Sequence, residues 1–260
     1  MSEFLFKECG MDLGDDKEYL LLSRLGSLLS EKKINDFCEL TEILKNNSSE
    51  DIKRLVIDAM TTHETLFFRD DGVFETFRTR LLPEVLFHKK IKNLNIWSAA
   101  CSTGQESYSI AMMVLDALIQ SDEWNLSISG TDLSRGVLER AKRGLYSDFE
   151  IKRGINEDYL GRYFKNSSQG WEVNSNLKEI VTFSEFNLIG EHGWYSDFDF
   201  IFCRNVLIYF PWELKIQVLR KLASCLRTGG YLILGGAESN YELNSPLVKI
   251  HDDLPVYKKV

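Results

Sequence analysis

The hydrophobic positions of this chain change period several times, and each change marks an element. From Asp15 to Met60 they recur at helical spacing. Leu20, Leu21, Leu25, Leu28 and Leu29 form one apolar face, and Ile34, Phe37, Leu40, Ile43 and Leu44 form another. Asn46–Ser49 reads as a loop, and Ser49 is placed to cap a third helix carrying Leu55, Val56 and Ala59. Three short amphipathic helices predict a small bundle in which no catalytic residue types converge, which reads as a docking or lid module. Phe74–Phe87 continues as a helix that admits Pro83 only at a start or a kink.

The period then shifts. Leu94, Ile96 and Trp97 open a buried strand that runs into the small-residue turn Cys101-Ser102-Thr103-Gly104. A helix follows, with Ile110, Met113, Val114 and Ala117 on its apolar face. Leu126–Asp132 is the next strand, and Arg135–Arg143 is a helix capped by Ser134. Gly144–Tyr163 is a mixed connection. Phe164–Val173 predicts a hairpin turning at Ser167–Gly170, and Leu177–Phe186 predicts a return strand. The continuous apolar run Phe198–Cys203 predicts a central parallel strand, followed by a helix over Trp212–Leu226. Tyr231–Leu234 is a further buried strand ended by Gly235–Ser239, and Pro255–Lys258 is a short last one. The alternation predicts an α/β, Rossmann-like domain with a helical domain before it and a small antiparallel β-subdomain inserted. The expected boundaries are residues 1–72 for the helical domain and linker, and 73–260 for the α/β domain with its insert at about 160–180.

Composition narrows the function classes. The 260 residues are 44% hydrophobic and 27% charged, ordinary for a globular chain. No run approaches the roughly 20 apolar residues of a membrane helix, and the first residues lack the flank and core of a signal peptide. A net charge of −8 makes nucleic acid a poor partner. The cysteines (Cys9, Cys38, Cys101, Cys203, Cys225) show no C-x-x-C pairing, which fits free thiols in a reducing cytoplasm. The four histidines show no metal-ligand spacing, so no metal is expected, and a monomer is the default.

The candidate chemistry sits at the strand–turn–helix. Such a turn offers backbone N–H groups and a helix N-terminus to a ligand at the carboxyl end of the strand. Its sequence lacks G-x-G-x-x-G, and Glu106 in the first helical turn repels a pyrophosphate while favouring a cation. Asp132, at the end of the following strand, stands where an acid accepts ribose hydroxyls. A ribose and a positive charge in one pocket point to S-adenosylmethionine. Between the helices and this domain lies MTTHETLFFRDD, in which polar side chains crowd two phenylalanines. Either Phe67 and Phe68 pin a linker, or the linker forms one wall of the cofactor pocket with Arg69 pointing inward.

These residues resemble the chemotaxis receptor methyltransferases, the CheR family. The resemblance rests on TTHETLFFRD (Thr61–Asp70), WSAACSTGQESYSIA (Trp97–Ala111), GTDLS (Gly130–Ser134), FNL (Phe186–Leu188), FCRNVLIYF (Phe202–Phe210) and GGYLILGGAES (Gly229–Ser239), in that order. It implies methyl transfer from S-adenosylmethionine to glutamate side chains of chemoreceptor cytoplasmic domains, giving glutamyl methyl esters and S-adenosylhomocysteine. It also implies cofactor contacts from His63, Thr65, Arg69, Ala100, Glu106 and Asp132. Asn187 and Leu188 fall at the adenine end and Arg204 and Asn205 at the methionine end. Arg69 and Tyr209 are similar to the pair that handles the substrate carboxylate.

The chain departs from the family pattern at His63, often Asn, at Gln105, often Glu, and at Ser107, often Pro. An imidazole does not reproduce the two-sided hydrogen bonding of an amide. The helical bundle is acidic where docking of acidic receptor helices calls for a more basic face. Two other readings stay open at this point: a cofactor-binding regulatory module without catalysis, and a methyltransferase of the same fold acting on another protein or small-molecule carboxylate. The hairpin adds an exposed sheet edge, a device that binds extended peptides.

Overall fold

The computed structural model describes residues 1–13, 18–46, 49–118, 124–191, 197–238, 246–251 and 253–260. The expected helix start at Asp15, the loop residues Asn47 and Ser48, and Ser239 lie outside the described residues. Four helices come first: α1 (Ser2–Cys9), α2 (Glu18–Lys32), α3 (Phe37–Lys45) and α4 (Glu50–Met60). The last three follow the apolar spacing, and Asp36 and Ser49 cap α3 and α4 by accepting from the Glu39 and Ile52 N–H groups. Helix α1 is not predicted by the pattern, because eight residues with one turn-spaced apolar pair, Leu5 and Cys9, are too few to show a period. Its stop signal is Gly10, left-handed at φ 72°. Leu5, Leu25, Leu40, Val56 and Met60 are buried together, and Leu133 of the large domain packs against them.

The helix expected over Phe74–Phe87 is broken into α5 (Asp71–Thr76), a π turn (Phe77–Leu81) and α6 (Leu82–His88). Pro83 falls in the first turn of α6, and Leu82 N–H reaches back five residues to Phe77 O, a π turn that accommodates the proline's missing N–H.

The remaining elements build a sheet with helices on both faces. In chain order they are β1 (Asn93–Ala99), α7 (Gln105–Ala117), β2 (Asn125–Asp132), α8 (Arg135–Arg143), β3 (Leu145–Tyr146), α9 (Asp148–Lys152), α10 (Glu157–Tyr163), β4 (Phe164–Ser167) and β5 (Gly170–Val173). Next come α11 (Ser175–Ile180), β6 (Val181–Glu185), β7 (Phe198–Cys203), α12 (Trp212–Cys225), β8 (Leu226–Leu234), β9 (Leu247–Lys249) and β10 (Val256–Lys259). The main sheet has seven strands in the order β6-β2-β1-β7-β8-β10-β9. The first five are parallel, and at one end β10 pairs antiparallel with both β8 and β9. Every residue of β7 is buried, and its side chains divide between two cores. Phe200 and Phe202 join α5–α7 on one face, and Ile201 and Cys203 join α12 on the other.

Chain order reverses between β1 and β7, so β1 has β2 on one side and β7 on the other. That reversal opens a crevice beyond their carboxyl ends. The insert is a three-stranded antiparallel sheet, β3-β5-β4. It takes its third strand from Leu145–Tyr146, upstream of the predicted hairpin, while the predicted return strand begins as helix α11 and becomes extended only at Val181. No helix among the described residues is long and apolar enough to cross a membrane.

Candidate active site

The turn after β1 is built from unusual backbone. Ala100 and Ser102 stand at φ 57° and 51°, and Gly104 at φ 93°. Such positive-φ residues are disfavoured unless the surroundings hold them, and they concentrate where a chain bends around a ligand. Glycine is required at 104 for a second reason: a Cβ there would lie 2.9 Å from Ala141 Cβ. The bend aims the Ser102 N–H at Asp132 Oδ2 (2.9 Å), and Ser134 N–H donates to Oδ1 (3.0 Å). The Asp132 carboxylate is thus fixed at the end of β2, with one backbone donor per oxygen. Burial pushes its pKa up, against the lowering effect of those bonds.

Glu106 is buried in the first turn of α7 and accepts from Ser98 Oγ (2.8 Å) and Arg204 Nη1 (2.9 Å). Arg204, at the end of β7, also donates to Asp70 Oδ2 and to the Arg69 carbonyl, both at 2.6 Å, and its guanidinium lies 5.3 Å from the centre of the Phe74 ring. Glu106 is therefore an ion-paired acid. Two carboxylates share one guanidinium, and the excess charge is still negative.

The linker supplies the second wall of the cavity, and its two phenylalanines pin it to the large domain. Phe67 is buried edge-on against Tyr146 (4.9 Å) and Phe164 (5.6 Å), and Phe68 stacks on Tyr159 (5.1 Å) while its N–H donates to Ser109 Oγ. Phe68 and Asp70 are themselves left-handed, at φ 50° and 65°. Pinned this way, the segment turns His63, Thr65 and Arg69 to the cavity, and Ser102 Oγ closes the seam by donating to His63 O (2.8 Å). The His63 Nε2 lies 3.0 Å from the Thr61 hydroxyl and 3.1 Å from Asp58 O, which ties the ring to the end of α4. Arg69 Nη1 donates to Glu64 O (3.2 Å).

The third wall joins Asn187 and Leu188 to helix α1. Asn187 Nδ2 donates to Glu8 O (2.8 Å), and its Oδ1 accepts from Ile189 N–H (3.2 Å). Its side-chain amide thus holds α1 in place. Gly10 sits so close to the large domain that a Cβ would come within 2.8 Å of Leu214 and 3.1 Å of Phe210. The Asp12 N–H donates to Tyr209 O.

All eleven residues singled out from sequence (His63, Thr65, Arg69, Ala100, Glu106, Asp132, Asn187, Leu188, Arg204, Asn205, Tyr209) line one cavity, which opens to solvent. Sequence reasoning missed Cys9, Met11, Leu133, Phe186 and Phe210, which also line it. Cys9 and Met11 arrive with the unpredicted α1, and the apolar residues carry no chemical signal of their own. Tyr209 faces a second cleft as well, shared with Leu20, Arg24, Thr62 and Ile208. Among the described residues no group of histidine, cysteine, aspartate or glutamate side chains is arranged to hold a metal ion.

Residues 63–252 match the SAM-binding domain of the CheR methyltransferases, and residues 1–61 match their all-alpha domain. The chain is 40% identical over 241 residues to the chemotaxis protein methyltransferase of Vibrio parahaemolyticus, covering 92% of this chain and 87% of that one. It is also 40% identical to chemotaxis protein methyltransferase Cher2 of Pseudomonas putida, covering 91% and 87%. Among solved structures, magnesium protoporphyrin IX methyltransferase (ChlM) from Synechocystis aligns with 18% identity and a TM-score of 0.37, over 75% of this chain and 74% of that chain. With its two domains matched over residues 1–61 and 63–252, this chain belongs to the CheR methyltransferase family.

Proposed function

We propose that this chain methylates glutamate side-chain carboxylates on the cytoplasmic domains of chemoreceptors, using S-adenosylmethionine and leaving S-adenosylhomocysteine. One observation carries the reading: eleven residues from separate segments of the chain converge on a single cavity at the sheet's switch point. The relatives above, named as chemotaxis protein methyltransferases, support the same reaction class and receptor substrates.

The residues present suit the cofactor. Asp132 keeps lone pairs beyond its two backbone donors, enough to accept two ribose hydroxyls. Leu133, Phe186 and Leu188 offer apolar surface for a purine. The Glu106–Arg204–Asp70 cluster presents a carboxylate excess to a cation and a guanidinium to a carboxylate, the two ends of a methionine. When bound, S-adenosylmethionine supplies a methyl carbon on a positive sulfur, which a carboxylate oxygen takes up in line as the carbon–sulfur bond breaks and its electron pair stays on sulfur.

What the chain itself does is align and enclose. A glutamate is already ionised at pH 7, so no general base is needed. Arg69 has one N–H engaged by Glu64 O, and the rest of its fork is available to an incoming carboxylate. Tyr209 lines both the cofactor cavity and the second cleft, together with Met11, Thr62 and Phe210, and that cleft offers the acceptor side chain a route in. Holding two reacting centres in register accounts for most of the rate such a site needs to supply.

The test is incubation with methyl-labelled cofactor and receptor cytoplasmic fragments. Base-labile, volatile label marks a carboxyl methyl ester. Alkali-stable label, or binding without transfer, contradicts the proposal. Arg69→Ala loses ester formation far more than it loses affinity for S-adenosylhomocysteine. Equal loss of both would remove Arg69 from the acceptor side.

A further inference from the structure

Glu238 lies outside the cavity lining, yet it grips the segment that carries four of the lining residues, Val206 among them. Strands β7 and β8 run parallel with Cys203 opposite Leu234. The segments leaving their carboxyl ends, 204–209 and 235–238, therefore lie side by side. The first carries Arg204, Asn205 and Tyr209. The second ends in Glu238, which is 1% exposed.

Glu238 reaches across the gap with both oxygens. Its Oε2 accepts from the Asn205 N–H (2.9 Å) and the Gly235 N–H (2.7 Å), and its Oε1 accepts from the Ile208 N–H (3.3 Å). Asn205 sits at φ 59°, a left-handed conformation that needs outside support. The approach of the two segments is as tight as backbone allows. A Cβ on Gly235 would fall 2.8 Å from Asn205 N, Asn205 Nδ2 and Glu238 Oε2 alike. Burying a carboxylate is costly, and three backbone donors are what make it tolerable. A charge placed there serves the loop it grips.

We propose that Glu238 is a positioning residue for methyl transfer. Its carboxylate staples the 204–209 loop, keeping Asn205 against the cofactor side of the cavity and Tyr209 against the acceptor side. The inference rests on the transferase reading given above.

Glu238→Gln is the informative variant, because it keeps shape and removes one acceptor. The glutamine carbonyl still takes the Asn205 and Gly235 N–H groups, and its NH2 then opposes the Ile208 N–H, donor against donor. The turn at 207–209 loosens while Asn205 stays. We expect kcat for methyl transfer to receptor fragments to fall about tenfold or more, with the dissociation constant of S-adenosylhomocysteine changed by less than about threefold. Amide hydrogen exchange at Ile208 and Tyr209 accelerates in the same variant, measured well below its melting temperature. An unchanged kcat overturns the proposal. So does a loss of affinity equal to the loss of kcat, which would make Glu238 a general scaffold. The exchange measurement stands without turnover: unchanged protection at Ile208 overturns the staple. A wild-type chain that transfers no methyl group would instead sink the transferase reading.

Discussion

Replacing Arg204 with methionine isolates the charge balance at the heart of the cavity. The Arg204 side chain is 2% exposed and bridges Glu106, 11% exposed, and Asp70, 41% exposed. Arg204→Met leaves Glu106 in place with only the Ser98 hydroxyl as partner. Breaking a buried pair from one side costs about 3–5 kcal/mol, because a charge stays buried without compensation. The Asp70 contact adds little, since a half-exposed carboxylate recovers water and its pairing is worth at most about 1 kcal/mol. The lower end, about 3 kcal/mol, is the reasonable expectation. For 260 residues the unfolding entropy is roughly 0.5 kcal/mol per kelvin, so the melting temperature falls by about 6 °C. Removing both charges in Glu106→Gln/Arg204→Met recovers most of that loss. The double-mutant cycle, followed by denaturant and thermal unfolding, then yields a coupling of about 2 kcal/mol or more. Additive losses, in which the double variant is destabilised by the sum of the two single variants and the coupling stays below about 0.5 kcal/mol, would refute the assignment of Arg204 as the counter-charge of Glu106.

Asp132→Asn loses about tenfold or more in S-adenosylhomocysteine affinity at pH 7, because an amide presents a donor where a backbone N–H or a ribose hydroxyl needs an acceptor. Burial raises the folded pKa of Asp132. Wild-type affinity therefore declines on acidification from above the ordinary aspartate value near about 3.9, and calorimetry across pH should find that slope absent in the variant. By the same sign, the stability contributed by this group is present below the unfolded pKa and is lost as pH rises through the folded one. Gly10→Ala forces a side chain onto a φ of 72° and into Leu214, lifting α1 from the cavity. It should weaken S-adenosylhomocysteine severalfold, and unchanged binding would remove α1 from the site. Asp199, fully buried, accepts from Lys89 Nζ (2.5 Å) and the Asn95 N–H (2.9 Å) and pairs with Arg227 at the opposite end of the strands. Asp199→Asn should cost about 3 kcal/mol in unfolding experiments while leaving cofactor affinity unaltered.

Much of the fold is legible because the apolar spacing is strong where elements are long. The buried run Phe198–Cys203 and the helix faces of α2, α7 and α12 announce themselves. Short elements do not. Helix α1 has one turn-spaced pair, β3 has two residues, and α11 occupies six residues that read equally well as extended. The π turn before Pro83 is a local response to a missing N–H and has no periodic signature. At the site, residue identity was legible and partnership was not. Glu106 reads as a free acid until Arg204, ninety-eight positions away, is seen beside it. Asn187 reads as a ligand contact, but its amide is engaged by Glu8. Glu238 carries no local signal, because its role arises only from the side-by-side exit of β7 and β8. Each of these depends on pairing between segments far apart in sequence, which no window of neighbouring residues records.

The central claim is that the cavity at the carboxyl ends of β1, β2 and β7 holds S-adenosylmethionine. Isothermal titration of the intact chain with S-adenosylhomocysteine tests it most directly. One saturable site per chain is expected, weakened about tenfold or more in Asp132→Asn and retained in Asp199→Asn. No heat of binding with either the cofactor or its demethylated product, or binding indifferent to Asp132, would contradict it.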